Sequence, residues 1–222
     1  SYADFSGYSD MAIGFSRLIG FNVTKNFDFP FFSQNIAEFW RKWHISLTSW
    51  LTEYVFTPLS IAFRDYDKIG ITMAILINFT IIGIWHGANW TYILFGFLHG
   101  CYFIPLILRG TMNKKNKIAK EKFFPSFKSF FNMLLLFILV MLTFIIFRSK
   151  TIGNSFEYYQ ILFSKSLFSL PIKTGLKSYL VIFIFLMFVI EWSARDKNYG
   201  LESLFLDRPK WFRLMFYYIL IV

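Results

Sequence analysis

The sequence predicts an all-α, multi-pass integral membrane protein, and three observations support this fold class. Of 222 residues, 56% are hydrophobic and 23% are aromatic, whereas soluble domains contain about 45–50% apolar residues. The apolar residues are collected in blocks that polar or basic segments separate. A helix of about 20 such residues is long enough to cross the bilayer. We therefore expect several of these blocks to be membrane helices.

The charge and the cysteine content narrow the possible partners. The net charge is +10, and the lysines cluster between apolar blocks. This pattern favours cytoplasmic loops that face anionic membrane lipids, and it predicts no nucleic-acid partner. The chain has one cysteine, Cys101, which excludes an intrachain disulfide and a CxxC metal site.

The first element is a helix in the second half of residues 1–20, because apolar residues there recur at helical spacing up to Gly20. We interpret Asp10 as the cap of this helix, with a buried polar contact near an active site as the alternative. Residues 21–34 contain Asn and Pro residues that break the periodicity, so they predict a loop.

The next predicted helix begins at Asn35, which resembles the start of a capping box with Glu38, and continues to Val55. Pro58 then ends or kinks it. One face of this helix carries Trp40, His44, Leu47 and Leu51. Its charged residues are too many for a lipid-exposed span, which favours an interfacial or protein-buried position.

Two apolar runs, residues 69–84 and 88–108, predict a helical hairpin with Gly87 near the turn, or a helix broken within the membrane. Residues 130–147 predict a clean span. A connector over residues 148–177 and a second span over residues 179–190 follow. Residues 191–213 predict a loop of mixed charge.

The loop over residues 109–128 carries Arg109 and six lysines against a single glutamate. The positive-inside rule places such a loop in the cytoplasm. Counting backward through the hairpin, we expect His86 to lie toward the outer half of the membrane. The chain does not begin with Met, and its last apolar run stops at Val222. We therefore expect a fragment of a longer protein, namely its C-terminal portion.

Histidine is the side chain in this sequence that is best suited to catalysis. The chain contains no phosphate-binding loop, HExxH or GxSxG motif, and its three histidines and Cys101 have no metal-ligand spacing, so we predict no metal. A histidine in apolar surroundings stays neutral and suits a general base. Such a base can deprotonate a hydroxyl that attacks an acyl thioester, while flanking indoles exclude water. The alternative for each histidine is a hydrogen-bonded structural role.

Two motifs carry a resemblance to a known family. Residues 39–47 read FWRKWHISL, residues 83–90 read GIWHGANW, and residues 98–100 read LHG. Together with the opening FSGYSDMAIG of residues 5–14, they resemble the membrane-bound O-acyltransferases. The similarity is greatest to the bacterial branch that O-acetylates alginate and other exported polysaccharides or D-alanylates teichoic acid. It covers most of residues 1–108, and residues 109–222 match only in their pattern of spans and loops.

The resemblance implies roles for particular residues. His86 is the expected catalytic base, and His44 is expected to position the donor or to share the proton. Four residues are expected to line the site and bind substrate: Trp43, Trp85, Asn89 and Trp90. After WHISL, this chain reads LTEYVFTPL over residues 51–59 and lacks the GGNR that this branch usually carries, which leaves the acceptor open.

The resemblance also implies a setting. We expect one membrane-embedded domain over residues 1–222, with the catalytic motifs in residues 1–108 and loop-linked transmembrane helices in residues 109–222. Its helices would surround a central catalytic cavity in the bacterial inner membrane, and the family's N-terminal helices would be missing here. No cofactor is expected to stay bound. The donor is an acyl thioester, acyl-CoA or acyl carrier protein, and the acceptor is an exported glycan.

A periplasmic or extracellular acyltransferase- or esterase-like protein is a further partner that the resemblance implies. Two other function classes remain open at this point. A glycan or acyl-carrier transporter would perform no chemistry, and it would be expected to carry acidic residues or broken helices paired across an inverted repeat. A catalytically silent scaffold would not need histidines in both motifs.

Overall fold

The structure, a computed structural model, describes residues 2–114, 124–165, 178–200 and 208–221. Within these ranges it is helical and contains no β-strand. Three helical stretches are long and apolar enough to cross a membrane, judged by length and composition: Arg64–Trp85, Trp90–Leu108 and Phe127–Arg148. The predicted all-α membrane fold is confirmed.

The chain divides into two compact units, Ser1–Leu170 and Pro171–Val222. The helices of the first unit are α1 (Tyr2–Leu18), α2 (Ile36–Lys42), α3 (Ile45–Leu51), α4 (Thr57–Ala62), α5 (Asp67–Trp85), α6 (Trp90–Cys101), α7 (Ile104–Leu108), α8 (Phe127–Arg148) and α9 (Ile152–Leu162). Short 3₁₀ turns lie at Pro30–Phe32 and Arg64–Tyr66, and a π-helical turn lies at Thr52–Phe56.

Helix α1 is longer than predicted, and this corrects the interpretation of Asp10. The helix begins at Tyr2, so Asp10 lies in its interior, on the exposed side, and cannot cap it. Both interpretations of Asp10, as a cap and as a buried polar contact, are wrong. The predicted stop at Gly20 is confirmed, because this residue has φ +85° and its N–H closes the last turn on the Arg17 carbonyl at 3.2 Å.

The helix predicted from Asn35 to Val55 is interrupted, which is a second correction. Its start is as predicted, since the Asn35 side chain accepts a hydrogen bond from the Glu38 N–H at 2.8 Å. The helix ends at Lys42, Trp43 is extended, and His44 has left-handed backbone angles of φ 46° and ψ 57° before α3 begins. Periodicity could not reveal this break, because the apolar spacing continues across it.

The chain stays helical through Pro58, which lies in the first turn of α4. The five-residue π turn directly precedes α4, and the Thr57 hydroxyl donates to the Thr52 carbonyl at 2.7 Å. Proline has no N–H to donate, and a wider turn in front of it changes the helical hydrogen-bond pattern at this point. Of the two predicted alternatives, that Pro58 ends the helix is therefore wrong, and that it kinks the helix stays a prediction.

Helices α5 and α6 form the predicted hairpin, and glycines let their backbones touch. A Cβ atom added at Gly96 would collide with the backbone carbonyl of Phe79, and one added at Gly83 with that of Tyr92. Such close approach of two helix backbones is characteristic of small residues at membrane-helix contacts. The hairpin therefore forms a closely packed pair that carries His86 at its turn.

Helix α8 packs on this hairpin and extends the core. The Tyr102 hydroxyl and the Thr143 hydroxyl lie 2.8 Å apart, joining the end of α6 to α8. Phe39, Ile82 and Val140 are fully buried members of one apolar cluster. The core thus holds α2, the hairpin and α8 together, and these elements position the two motif histidines.

Two further differences concern the second half of the chain. The predicted connector over residues 148–177 contains helix α9, whose start is capped by Thr151: its hydroxyl accepts from the Asn154 N–H at 3.2 Å. Residues 115–123, which carry most of the basic loop, lie outside the described residues. Within the second unit, the apolar helix α10 (Ser178–Ser193) lies where the second span was predicted, and α11 (Lys210–Ile221) follows. Helix α10 is shorter than the three stretches named above, so its crossing of the membrane stays a prediction.

Candidate active site

His86 lies at the turn of the hairpin, directly after the last residue of α5. Its N–H still closes a helical turn on the Gly83 carbonyl at 3.1 Å. Gly87 then takes φ +138°, a conformation that residues with a Cβ rarely adopt. The chain therefore turns at this point, and the imidazole is left at the end of the apolar helix, as the sequence predicted.

Aromatic rings from three elements contact the His86 ring, and the residue keeps an exposed surface. The ring centroids of Trp85 and Phe147 both lie 4.8 Å from it, and those of Tyr92 and Phe95 lie 6.2 and 6.4 Å away. Within the described residues, no hydrogen bond occupies either ring nitrogen of His86. A neutral imidazole in this place can therefore accept a proton from a bound molecule.

His44 occupies the break between α2 and α3, and a loop residue holds that break in place. The Asn26 carbonyl accepts from the Ile45 N–H at 2.9 Å. The Asn26 side-chain oxygen accepts from the Ser46 N–H at 3.1 Å and from its hydroxyl at 2.7 Å. A left-handed conformation at a histidine costs energy, and these bonds to the following turn offset that cost. Asn26 was not predicted, because in the sequence it is one polar loop residue among several.

The structure brings the two motif histidines to the same indole. The Trp85 ring lies 4.8 Å from that of His86 and 6.1 Å from that of His44, both between centroids. His44 also contacts Phe5, from the opening segment of the chain, with a centroid distance of 4.8 Å between the two rings. Residues that are 42 positions apart in the sequence thus share one aromatic site.

Partial burial among these rings lowers the pKa of both histidines below the usual 6.5, because charge is disfavoured where water is excluded. A positive charge on His44 lowers the pKa of His86 further. Both rings are therefore neutral at neutral pH, which is the form a general base requires.

The four residues expected to line the site have different surroundings. Trp85 contacts both histidines and is 58% exposed. Trp43 is half-buried beside His44, stacked on Phe39 with a centroid distance of 5.3 Å. It is thus adjacent to His44 in the chain and packed into the aromatic cluster.

Asn89 and Trp90 follow His86 in the hairpin turn. The Asn89 side chain accepts from the Thr91 N–H and donates to the Lys150 carbonyl, both at 3.1 Å. It therefore caps α6 and ties the turn to the end of α8. Trp90 is 73% exposed, and within the described residues its ring contacts neither motif histidine. Their predicted contact with substrate stays a prediction.

The third histidine lies apart from this site. His99 is fully buried, and its Nδ1 accepts a hydrogen bond from the Trp40 indole N–H at 3.1 Å. This arrangement matches the structural alternative considered for each histidine. The part of the chain that the structure describes contains no group of three His, Cys, Asp or Glu side chains that could hold a metal.

Clefts on the described surface do not include the two motif histidines in their lining. One of about 790 Å³ lies beside residues 60–71 at the far end of α5, and one of about 410 Å³ runs along α3 beside Trp40 and Arg41. Neither His44 nor His86 lines them. The central cavity that the resemblance implies stays a prediction.

Comparison with known proteins gives one family. The family described as MBOAT, membrane-bound O-acyltransferase, matches residues 1–147. The chain is 37% identical over 200 residues to a probable alginate O-acetylase of Azotobacter vinelandii, which covers 83% of this chain and 37% of the relative. It is 35% identical over 156 residues to a peptidoglycan O-acetyltransferase of Helicobacter pylori, covering 70% and 28%.

A third relative is a teichoic acid D-alanyltransferase of Streptococcus thermophilus. The two sequences are 36% identical over 161 residues, which covers 66% of this chain and 38% of the relative. The chain thus spans about a third of the length of these curated relatives. The matched region contains both histidine motifs.

Proposed function

The chain belongs to the membrane-bound O-acyltransferase family, and we propose that it transfers an acyl group, most simply acetyl, to hydroxyls of an exported cell-envelope glycan. The donor is a cytoplasmic thioester, acyl-CoA or acyl carrier protein. The protein acts as a multi-pass protein of a bacterial inner membrane. The observation that carries this proposal is the convergence of His44 and His86 on Trp85.

His86 acts as the general base. Its neutral ring takes the proton from the acceptor hydroxyl as the oxygen attacks the carbonyl carbon of the thioester. The new C–O bond forms, the C–S bond breaks, and the departing thiolate takes up the proton from the imidazolium. No oxidant, metal or bound cofactor is needed for this sequence of bond changes.

His44 positions the donor or shares the transferred proton. Its ring lies 6.1 Å from that of Trp85 and 4.8 Å from that of Phe5, both between centroids. Because Trp85 also contacts His86, we expect one bound substrate to reach both imidazoles. Ser46 is the hydroxyl nearest to the ring, with its Oγ 3.5 Å from Nδ1. At this distance the interaction is weak, and His44 is left able to bond to substrate.

Bound substrate and aromatic residues together exclude water from the reaction. Trp85, Phe147 and Phe95 contact His86, whose side chain is exposed without substrate, so a substrate that covers these rings completes the apolar lining beside the base. Water at this position would hydrolyse the thioester. Asn89 caps the helix that follows the His86 turn, and Trp43 directly precedes His44. In this proposal Trp43, Asn89 and Trp90 contact the bound substrate.

The acceptor is a glycan on the outer side of the membrane, and a periplasmic acyltransferase- or esterase-like protein completes delivery to it. The three relatives carry names that refer to alginate, peptidoglycan and teichoic acid. What their names share is transfer of an acyl group to an envelope polymer, which supports an acceptor of this class.

The test is transfer of a radiolabelled acetyl group from acetyl-CoA to glycan by the purified full-length protein in liposomes. We expect His86→Ala to lower the rate by about 10²–10⁴-fold, the usual contribution of a general base. His44→Ala should also abolish most transfer. Tyr158→Ala, which removes an exposed ring on α9, is the matched control and should keep the wild-type rate.

Membrane abundance must be equal for all variants, as measured by immunoblotting. Normal transfer by His86→Ala would overturn the mechanism. Labelled glycan movement without any covalent label transfer by the wild-type protein would favour a transporter instead.

A further inference from the structure

His99 is a buried polar group that the proposed chemistry does not use. None of its surface is exposed. Aromatic rings from two helices enclose it: the centroids of Phe95, Trp40 and Tyr102 lie 4.5, 5.3 and 5.5 Å from that of the imidazole. A polar side chain at such a position is costly unless it is hydrogen-bonded, so its bonding pattern shows what it contributes.

One hydrogen bond defines the state of the His99 ring. Trp40 Nε1–H donates to His99 Nδ1 at 3.1 Å, and an indole nitrogen can only donate. Nδ1 must therefore be unprotonated, and the neutral ring carries its proton on Nε2. Within the described residues, Nε2 has no hydrogen-bond partner. The useful property of this ring is therefore its capacity to accept at Nδ1.

The bond joins the two elements that carry the catalytic motifs. Trp40 belongs to α2, and the break that holds His44 begins three residues later, at Trp43. His99 belongs to α6, the second helix of the hairpin whose turn carries His86. The hairpin is closely packed through Gly83 and Gly96, so a bond to α6 also fixes α2 relative to His86.

Helix α2 is buried on one side and is also held by bonds from the Asp28 N–H to the Lys42 carbonyl and from Arg41 to the Met112 carbonyl. The Trp40–His99 bond is the one that ties its rotation directly to the hairpin. The Trp40 ring also packs on Phe79 of α5, with a centroid distance of 5.0 Å. An aromatic contact tolerates sliding, whereas a hydrogen bond from a planar indole requires one direction. Rotation of α2 would move its C-terminal end, and with it His44, away from Trp85.

We propose that His99 is a positioning residue: by accepting the Trp40 N–H, it sets the rotation of α2 and so holds His44 beside Trp85 and His86. The expected effect on rate rests on the proposed acyl transfer. The expected effect on geometry does not: the Trp40–His99 bond should control the His44–His86 separation whether or not the protein transfers an acyl group.

Three substitutions separate the hydrogen bond from the volume of the side chain. His99→Phe keeps an aromatic ring and removes the acceptor. His99→Asn places an amide oxygen near the position of Nδ1 and restores an acceptor. Trp40→Phe removes the donor and leaves His99 intact.

The first measurement is cross-linking in the full-length protein that carries His44→Cys and His86→Cys and lacks its other cysteines. A short bis-methanethiosulfonate reagent bridges the two thiols only when they are close. We expect the yield per folded protein to fall severalfold with His99→Phe or Trp40→Phe and to recover with His99→Asn. Wild-type yield in both His99→Phe and Trp40→Phe would overturn the proposal.

The second measurement is acyl transfer by variants that keep His44 and His86. We expect His99→Phe and Trp40→Phe each to lower kcat by about tenfold or more, because small misplacements of reacting groups are costly. Any rise in the KM for the donor should be smaller than the fall in kcat if His44 shares the proton, and comparable to it if His44 positions the donor. The double variant should be no slower than the worse single variant, since both remove the same bond.

A purely structural role gives a different result. It would lower the amount of folded protein in the membrane but leave both the cross-linking yield and the kcat of the remaining protein unchanged, and this outcome overturns the proposal. If His99→Phe does not reach the membrane, Trp40→Phe and His99→Asn decide the question alone. If the wild-type protein transfers no acyl group, the proposed function fails, and the cross-linking result still decides this inference.

Discussion

The three histidines of this chain differ in what surrounds their rings. His86 and His44 lie at chain turns, partly accessible and beside the same indole. His99 lies inside a helix, fully buried and hydrogen-bonded to another indole. The same side chain therefore occurs in two settings: the accessible rings of His86 and His44 are those that the proposed mechanism uses, whereas the buried ring of His99 connects two helices.

At this scale the surroundings of His86 predict a pH dependence. Partial burial and the nearby His44 lower the pKa of His86 below 6.5, so the base is neutral at neutral pH and becomes protonated only in more acidic solution. We expect kcat to be level through neutral pH and to fall with acidification, with its midpoint below 6.5. The measurement is the transfer rate in liposomes buffered between about pH 5 and 8.

The matched control is the affinity for the acyl donor, measured over the same pH range. We expect this affinity to change much less with pH than kcat does. A midpoint at or above 6.5, the value of a hydrated histidine, would show that the ring is not held in an apolar environment.

At the scale of elements, two features bring the motif residues together. One is the interruption between α2 and α3, which turns the chain at His44 and which Asn26 holds by accepting from Ile45 and Ser46. The other is the close packing of α5 on α6. The first depends on the hydrogen bonds of Asn26, and the second depends on Gly83 and Gly96, which let the two helix backbones approach.

The hairpin contact predicts the effect of a single methyl group. In Gly96→Ala, the added Cβ would meet the Phe79 carbonyl, and backbone atoms of a packed helix cannot rotate away. We expect a loss of about 1–3 kcal/mol in unfolding free energy, as for overpacked cores. The measurement is the thermal unfolding midpoint of the detergent-solubilised full-length protein.

Gly14→Ala is the matched control for this prediction. Gly14 lies within α1, and no other atom lies within 4 Å of the position its Cβ would take. Alanine there should be neutral or stabilise the helix by about 0.5–1 kcal/mol. Equal unfolding midpoints for Gly96→Ala and the wild-type protein would contradict the packing described here.

At the scale of the whole molecule, the proposed function depends on which side of the membrane His86 and the basic loop lie. Three stretches are apolar and long enough to cross it. The lysine-rich segment between the second and the third of them predicts a cytoplasmic loop. His86 would then lie on the side where an exported glycan arrives.

This orientation can be tested by cysteine labelling in a full-length protein that otherwise lacks cysteine. Ala88→Cys lies in the exposed turn next to His86, and Asn113→Cys lies in the exposed segment that leads into the lysine-rich loop. We expect a membrane-impermeant maleimide to label the first in intact spheroplasts and the second only after permeabilisation. The reverse pattern would place His86 on the cytoplasmic side.

The sequence by itself determined the helical class, the hairpin and the two motif histidines. Apolar blocks of spanning length, a glycine between two of them and polar residues within short motifs are local features, and local features are visible in the chain. The long apolar run that ends at His86 is one example, since the helix boundary fell where the pattern ended.

Only the tertiary structure decided which of these residues meet. The break at His44, its hold by Asn26, and the bond between Trp40 and His99 join residues far apart in the chain. Periodicity describes one helix at a time, and it cannot report where two helices touch or where a neighbouring loop supplies hydrogen bonds that stabilise a turn. The shared contact of His44 and His86 with Trp85 arises from that packing, because only a folded core brings residues 42 positions apart to one ring.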